Sequence, residues 1–396
     1  MGGMDTVITA GQVLPTPDYP LSDGAVLVRD DRIAAVGPRA EVLKVARPEA
    51  MRWDFGSATL MAGLFNTHVH LTFDASPEFV ANQQRATWEE LQAGAVDRLR
   101  KLLRSGVTTV RDLGDRDGLA VSVRAALRAA DVVAPRLLVA GTPLTVPGGH
   151  CHFLGGEVAD DAAARDLIDA NAAAGADVIK VMASGGQITP GGAEMWESQF
   201  DIRQLGMIVA HAASHGLPVA AHAHGADAIE ACVEAGVATI EHCTWMVGPG
   251  QTDMRGHVAQ RMAERGIAVC STSSPNWRKM AERMGEDLAA RMFGRLRWLA
   301  DHGVPLIAGT DAGLPGSVFN NPAGSLDLYE WLGFSRAQIL RIATVDSAQA
   351  LGLGEVTGQL APGFSADLLV VDGDPLADLA ALRKVRRVMA GGRLAA

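Results

Sequence analysis

Two histidines one residue apart, His68 and His70 in "NTHVHL", close an apolar stretch of the chain. In a strand, residues i and i+2 point to one face, so the two imidazoles project side by side and can bind one metal ion. A hydrogen-bonded histidine pair at a strand end is the plainer alternative. The chain repeats the placement of a polar group at or near the end of an apolar run: Lys180 in "DVIKVMA", His222 in "LPVAAHA", His242 in "VATIEHC" and Asp311 in "VPLIAGTD". Imidazole and carboxylate donors of this kind suit zinc first, and cobalt, manganese or iron as well. Lys180 is the odd member. Burying its ammonium among Val, Ile and Met is costly, which lowers its pKa and makes the neutral amine reactive. Such an amine can take up carbon dioxide and become a carbamate, an anionic oxygen ligand. The alternative is a lysine that snorkels, or one that pairs with Asp177 or Glu241.

These groups need a frame that carries them to one place. Short runs rich in Val, Ile, Ala and Leu alternate with Ala-rich amphipathic stretches, the βαβ pattern of a parallel sheet. Strand ends fall near His70, Asp112, Thr142, Met182, His222, His242, Ser271 and Asp311, and helices over 88–105, 119–130, 162–174, 202–215, 226–235, 256–265 and 288–301, with the last helical segments over about 335–351. Eight such units predict an α/β fold, a (β/α)8 TIM barrel, whose C-terminal strand ends form the reactive face. The two ends read differently. Residues 1–60 and 356–396 carry strand runs divided by Gly, Pro and Asp, with no core of their own, and together predict a small β-sandwich beside a barrel over 61–355.

Composition narrows the function. The chain has 396 residues, 48% hydrophobic and 20% charged, with net charge −10. It is long enough for a large core, and the negative balance with no basic run argues against nucleic acid or an anionic membrane as partner. Small-molecule substrates are expected, with monomer and homo-oligomer both open. No secretory start and no run of about 18 apolar residues is apparent, so the cytoplasm is the expected location. Cys151, Cys232, Cys243 and Cys270 lie far apart. They read as reduced thiols and leave any metal to histidine and carboxylate.

Taken in order, "NTHVHL", "GVTTVRDLG", "GADVIKVMASGG", "AHAHG", "TIEHC", "AGTDAG" and "GQLAPGFSADLLVVDGDPL" span almost the whole chain. In these motifs the chain resembles the amidohydrolase superfamily, in the branch of imidazolonepropionase-like proteins, Xaa-Pro and other C-terminal-residue dipeptidases, and ochratoxin-type amidases. The resemblance implies two divalent ions. His68 and His70 would bind the more buried one, a carbamate on Lys180 would bridge the two, and His222 and His242 would bind the second. Asp311 would touch the first metal and move the proton. His222 rather than His224 sits at the strand 5 position, leaving His224 to face substrate or support a ligand. Two ions about 3.5–4 Å apart can hold a hydroxide at neutral pH, and that hydroxide would attack an amide carbonyl.

His150, in "VPGGHCHF", is the candidate for meeting the developing oxyanion, because Gly148 and Gly149 let its loop fold inward; a loop histidine bonded to backbone is the alternative. Many relatives carry Tyr where His224 stands, which puts dipeptidase activity in question. Deaminases usually carry Glu three residues after the strand 5 histidine, where this chain has Gly225, so a binuclear hydrolase is expected over a deaminase. Trp196 and Trp277, with Met195 and Trp245, offer an apolar substrate rim, or else pack the loops down. Arg278 offers a partner for a substrate carboxylate. His211 and His215 share a helix face, yet no Glu follows His211, so both read as surface residues; His257 and His302 read likewise, and His152 as loop. The expected activity is hydrolysis of an amide in an N-acyl amino acid, dipeptide, carbamate or urea-type compound. A lactonase or esterase on the same site, or a silent binding protein, are the alternatives.

Overall fold

The computed structural model describes residues 5–395; residues 1–4 of the expected first segment and residue 396 of the last lie outside the described residues. The chain opens with β1 (Asp5–Leu14), β2 (Leu21–Arg29), β3 (Arg32–Pro38), β4 (Met51–Asp54) and β5 (Thr59–Ala62). The central part carries β6 (Leu64–Val69), β7 (Val107–Asp112), β8 (Arg136–Val139), β9 (Ile179–Met182), β10 (Val219–Gly225) and β11 (Thr239–Gly248). It continues through β12 (Gln251–Thr252), β13 (Ala268–Cys270) and β14 (Leu306–Ile307), and the chain closes with β15 (Leu368–Val371), β16 (Val385–Ala390) and β17 (Arg393–Leu394).

The end segments hydrogen-bond as one sheet, in the order β17-β16-β15-β5-β1-β2-β3 with β4 also on β1, where two stacked sheets were expected. Strand β5 joins the two halves: Gln12–Leu14 pair with it on one side and Leu368–Val371 on the other. Ile33 from one edge strand and Met389 from near the other enter the same apolar cluster. The backbone at Gly392 comes so close to Asp30 that a Cβ there would lie 2.0 Å from its carbonyl oxygen. The sheet therefore curls until its edges meet round a shared core, which does the work of a second layer.

Eight central strands run parallel in two arcs, β6-β7-β8 and β9-β10-β11-β13-β14. Backbone bonds cross both gaps between them. Leu144 N donates to Lys180 O at 2.8 Å and Met182 N to Leu144 O at 2.9 Å; Thr67 N donates to Ala308 O and His70 N to Ala312 O, each at 2.8 Å. The helices begin where their caps say. Thr87 with Glu90 and Asp201 with Gln204 form reciprocal capping boxes at the starts of Trp88–Arg104 and Ile202–Ser214. Gly175 and Gly236, in the left-handed region at φ 92° and 82°, end helices and turn the chain toward β9 and β11.

The helical segments expected over 335–351 are Arg336–Ile342 and Val345–Ala350, separated at Thr344, whose hydroxyl bonds back to Leu340 O. Other stretches differ from the periodicity reading: Arg39–Val45, Phe79–Arg85 and Ala323–Trp331 are helices that it did not give. The loop expected after β13 holds a helix, Trp277–Met284. Trp277, Met280, Ala281 and Met284 fall at i, i+3, i+4 and i+7, the spacing of one helix face, so the helical signal is present in the sequence although Trp277 alone is buried there. All four cysteines are free and buried. No helix among the described residues is long and apolar enough to cross a membrane.

Candidate active site

Because the eight strands are parallel, their C-terminal ends point the same way, and the polar residues at those ends gather there. His68 Nε2 lies 3.3 Å from His70 Nε2, and Asp311 Oδ1 lies 3.4 Å from each. His222, His224 and His242 form a second group, with ring centroids 4.5–4.7 Å apart. The two groups are neighbours: the His68 and His242 rings stand 5.4 Å apart. His150 stacks on His222 with centroids 4.5 Å apart. His224, expected to face substrate or support a ligand, thus stands inside the second group.

Hydrogen bonds fix which nitrogen of each ring carries the proton. His68 Nδ1 meets the Glu241 carboxylate at 2.8 Å and His70 Nδ1 the Gly114 carbonyl at 3.0 Å, acceptors that require N–H there. His222 Nε2 meets the Gly185 carbonyl at 3.0 Å. His242 Nδ1 meets Thr272 Oγ1, whose own proton goes to Ser271 O; His224 Nδ1 meets Thr244 Oγ1, whose proton goes to His224 O. Both hydroxyls therefore accept. Every one of the five rings is left with one bare nitrogen, the arrangement that metal-binding histidines adopt. In the first group two lone pairs and a carboxylate oxygen crowd together, and Asp311 Oδ1, buried, meets no donor in hydrogen-bonding geometry. That is a poor arrangement without a cation and a good one with it, so the residues fit a divalent ion.

Burial holds the His68, His222, His224 and His242 rings neutral, whereas at His70 the Asp311 carboxylate outweighs burial and raises the pKa. Burial lowers the His68 pKa to about 4, with the Lys180 charge adding to the effect, and sends His222 and His242 well below the usual range. Burial alone would raise Asp311, but His68, His70 and Lys180 outweigh it and bring its pKa down to about 2. Lys180 itself is 1% exposed and its ammonium makes no hydrogen bond or ion pair among the described residues. Both partners that would explain it structurally are committed elsewhere. Asp177 binds Arg124 and the Val139 N–H, and Glu241 binds His68, Arg111 and Thr239. Burial therefore lowers the Lys180 pKa, against the more distant charges of Glu241 and Asp311.

The backbone is strained where it matters. His242, Thr272 and Asp311 all occupy the left-handed region, at φ 69°, 51° and 57°. Each costs about 1–3 kcal/mol, and such outliers persist where the surroundings hold a functional side chain in place.

Two residues that sequence reasoning had not assigned to the site support it. Glu241 and Arg111 are fully buried, the guanidinium donating to Glu241 Oε1 at 2.9 Å and to Thr67 O at 2.7 Å. The pair thus fixes the His68 ring and the backbone before it. Glu241→Gln leaves Arg111 without its counter-charge. The expected result is a loss of about 3–5 kcal/mol of stability by denaturant unfolding, with metal affinity down about 10–100-fold by titration.

The rim is less complete than expected. Trp196 is half-buried, and its carbonyl lies so close over Gly225 that a Cβ there would stand 2.6 Å away. Trp277 is 2% exposed and packs against Phe293 and Trp331, so it serves the packing alternative, not a substrate rim. Trp245 is buried against Trp298, and Arg278 lies over the Trp277 ring, 4.0 Å from Asp327. His211 and His215 both bond to Asp169 on the surface, away from these groups. A cleft of about 470 Å³, lined by Lys101, Asn320 and Leu382 among others, touches none of these histidines. The chemistry, not the volume, marks the site.

A sequence profile of the amidohydrolase family matches residues 59–395, and one of a bacterial imidazolonepropionase-like composite domain matches 24–44. The chain belongs to the amidohydrolase family, in its imidazolonepropionase-like and Xaa-Pro dipeptidase-like branch, and is a hydrolase acting on carbon–nitrogen bonds. Among its relatives, ochratoxinase of Aspergillus niger is 27% identical, over 98% of this chain and 86% of its own. Imidazolonepropionase of Chloroflexus aggregans is 27% identical, over 89% of this chain and 86% of its own. A prolidase solved with N-methylphosphonate-L-proline superposes with a TM-score of 0.85 at 26% identity, covering 99% of both chains.

Proposed function

We propose that the protein hydrolyses the amide bond of a small molecule at a pair of divalent cations, zinc in the first instance. The observation that carries this reading is the set of five imidazoles, each with one nitrogen bonded away and the other bare, grouped around an unpaired buried lysine. On this reading the parallel strands close as a (β/α)8 barrel over 61–355, with the end sheet as a second unit. His68, His70 and Asp311 would hold one cation, and His222 and His242, with His224 beside them, would hold the other. Lys180, as its carbamate, would supply them an anionic oxygen ligand: its neutral amine adds to carbon dioxide and releases one proton. Cations held there polarise a carbonyl and make water nucleophilic at neutral pH.

The chain's own groups do the rest. Asp311 takes the proton of the attacking water and returns it to the leaving amine. His150 meets the carbonyl oxygen as charge develops. Thr189 Oγ1 accepts from Cys151 N at 2.8 Å and lies 3.3 Å from His150 Nδ1, so its proton is free to go to that nitrogen, leaving Nε2–H as the donor. Burial keeps His150 neutral, with its pKa near 4. The deaminase reading is disfavoured by Gly225, where the Trp196 backbone leaves no room for a glutamate.

The test is metal analysis of the purified protein followed by an amide and ester panel. Two equivalents of metal and amide turnover that chelation removes support the reading; full activity without metal overturns it. His150→Ala is expected to lower kcat about 10²–10³-fold with metal content unchanged. A variant that loses metal along with activity would move His150 from the carbonyl to the support of His222.

A further inference from the structure

The helices Asp161–Ala174 and Ile202–Ser214 pack side by side, each turning an apolar face into the core, Ile168 on one and Leu205, Ile208 and Ala212 on the other. Their polar faces meet at two levels. Asp161 pairs with Arg203 near both N-terminal ends, at 2.6 and 3.2 Å, and about two turns further along each helix Asp169 stands against His211. At this second level the partner is not one guanidinium but two imidazoles. His211 and His215 stand i, i+4 on one helix face, and both Nε2 atoms aim at Asp169 Oδ1, at 2.7 and 2.6 Å, with the ring centroids 5.4 Å apart. The three donor atoms lie within 4.8 Å of one another. An ion pair across the helices needs one basic group, as at Arg203. Two imidazole nitrogens and a carboxylate oxygen that converge on one point, from helices each capped by an aspartate, are the donor set of a zinc ion.

The far side of each donor allows the exchange. His215 Nδ1 and Asp169 Oδ2 have no partner among the described residues, so the imidazole proton can move to Nδ1 and the carboxylate can turn. Arg165 donates to His211 Nδ1 at 3.2 Å, which puts the His211 proton on Nε2 without an ion; the arginine is exposed and free to swing away. No Glu follows His211, which removes a general base and so argues against a hydrolytic zinc, not against a held one. We propose that Asp169, His211 and His215 bind one divalent cation, zinc above all and copper or nickel as well, at a surface site separate from the strand-end histidines, with water completing the coordination. The ion clamps the helix leading into β9, which carries Lys180, to the helix leading into β10, which carries His222. It takes no part in the amide reaction, so this site stands independently of the proposed hydrolysis.

The test is calorimetric titration of zinc into the metal-stripped protein. The wild type is expected to take up one equivalent more than His215→Ala, and Asp169→Asn to bind that equivalent at least about tenfold more weakly. Excess zinc should raise the unfolding midpoint of the wild type more than that of His215→Ala, because the ion binds the two helices only when they are folded together. Arg165→Glu replaces a competing donor with an acceptor for the His211 Nδ1 proton, and should tighten the same equivalent by about tenfold or more. That variant decides the matter if His215→Ala fails to fold. Equal stoichiometry in the wild type and a folded His215→Ala, or unchanged affinity in Arg165→Glu, overturns the proposal and leaves Asp169 as an acceptor for two histidine N–H groups. The strand-end histidines are intact in all four proteins, so a failure of those groups to bind zinc would count against the amide-hydrolase reading alone.

Discussion

Lys180→Met is expected to abolish turnover while leaving the metal-stripped protein at least as stable as the wild type. Methionine has nearly the volume of lysine and no charge. In the absence of metal the wild-type ammonium is buried without a hydrogen bond or ion pair, a placement that costs stability. Removing it should leave the unfolding midpoint unchanged or raised. With metal present the balance reverses. On the proposed mechanism a carbamate on Lys180 supplies an anion between two cations, and without it metal content should fall and activity drop below detection. Short carboxylic acids added to Lys180→Ala, where space is opened, should restore part of the rate. The measurements are metal content, thermal unfolding of stripped and loaded protein, and turnover with and without acetate. Near-normal turnover of either variant without added acid would remove Lys180 from the mechanism. A stripped Lys180→Met protein much less stable than the wild type would show that the ammonium is paired after all.

What could be read from the sequence divides along a physical line. His68, His70, Lys180, His222, His242 and Asp311 were legible because each stands at or near the end of an apolar run, and a parallel sheet sends all such ends to one face. His150 was legible only as a histidine after two glycines. Its contact with His222 comes from the 183–200 segment, where Gln199 Oε1 accepts from the His150 N–H and Gly186 packs on its ring. No local pattern announces such a contact. Glu241 and Arg111 were not legible as partners because 130 residues separate them and neither breaks a motif. Trp277 shows the opposite limit. Residue type makes a tryptophan beside a serine-rich loop equally fit for a rim or for packing, and only the positions of Phe293 and Trp331 decide. The curled end sheet was hidden for a related reason, since its edges meet through contacts between the first and last segments of the chain.

Asp311→Asn tests the proton's path. The substitution keeps the shape of the side chain, and the backbone bond from residue 311 N–H to His68 O, 2.9 Å in the wild type, does not depend on the carboxylate. The left-handed backbone at this position, φ 57°, also suits asparagine better than most residues, so folding should be undisturbed. What changes is the group facing His68 and His70. The carboxylate, brought down to about 2 by those histidines and Lys180, is the acceptor nearest both bare nitrogens; an amide carries no negative charge and cannot take the proton. Turnover should fall by about 10²–10⁴, the range for loss of a positioned acid–base group. The cation on the second histidine group should stay, because none of its donors is altered. Metal content measured on the same sample separates the two explanations of a slow variant. If the loss is in proton transfer, activity stays low even when metal is restored to the wild-type stoichiometry by saturating zinc. If added zinc recovers the rate, Asp311 is a ligand and nothing more, and a rate within about threefold of wild type at the outset would leave it neither role.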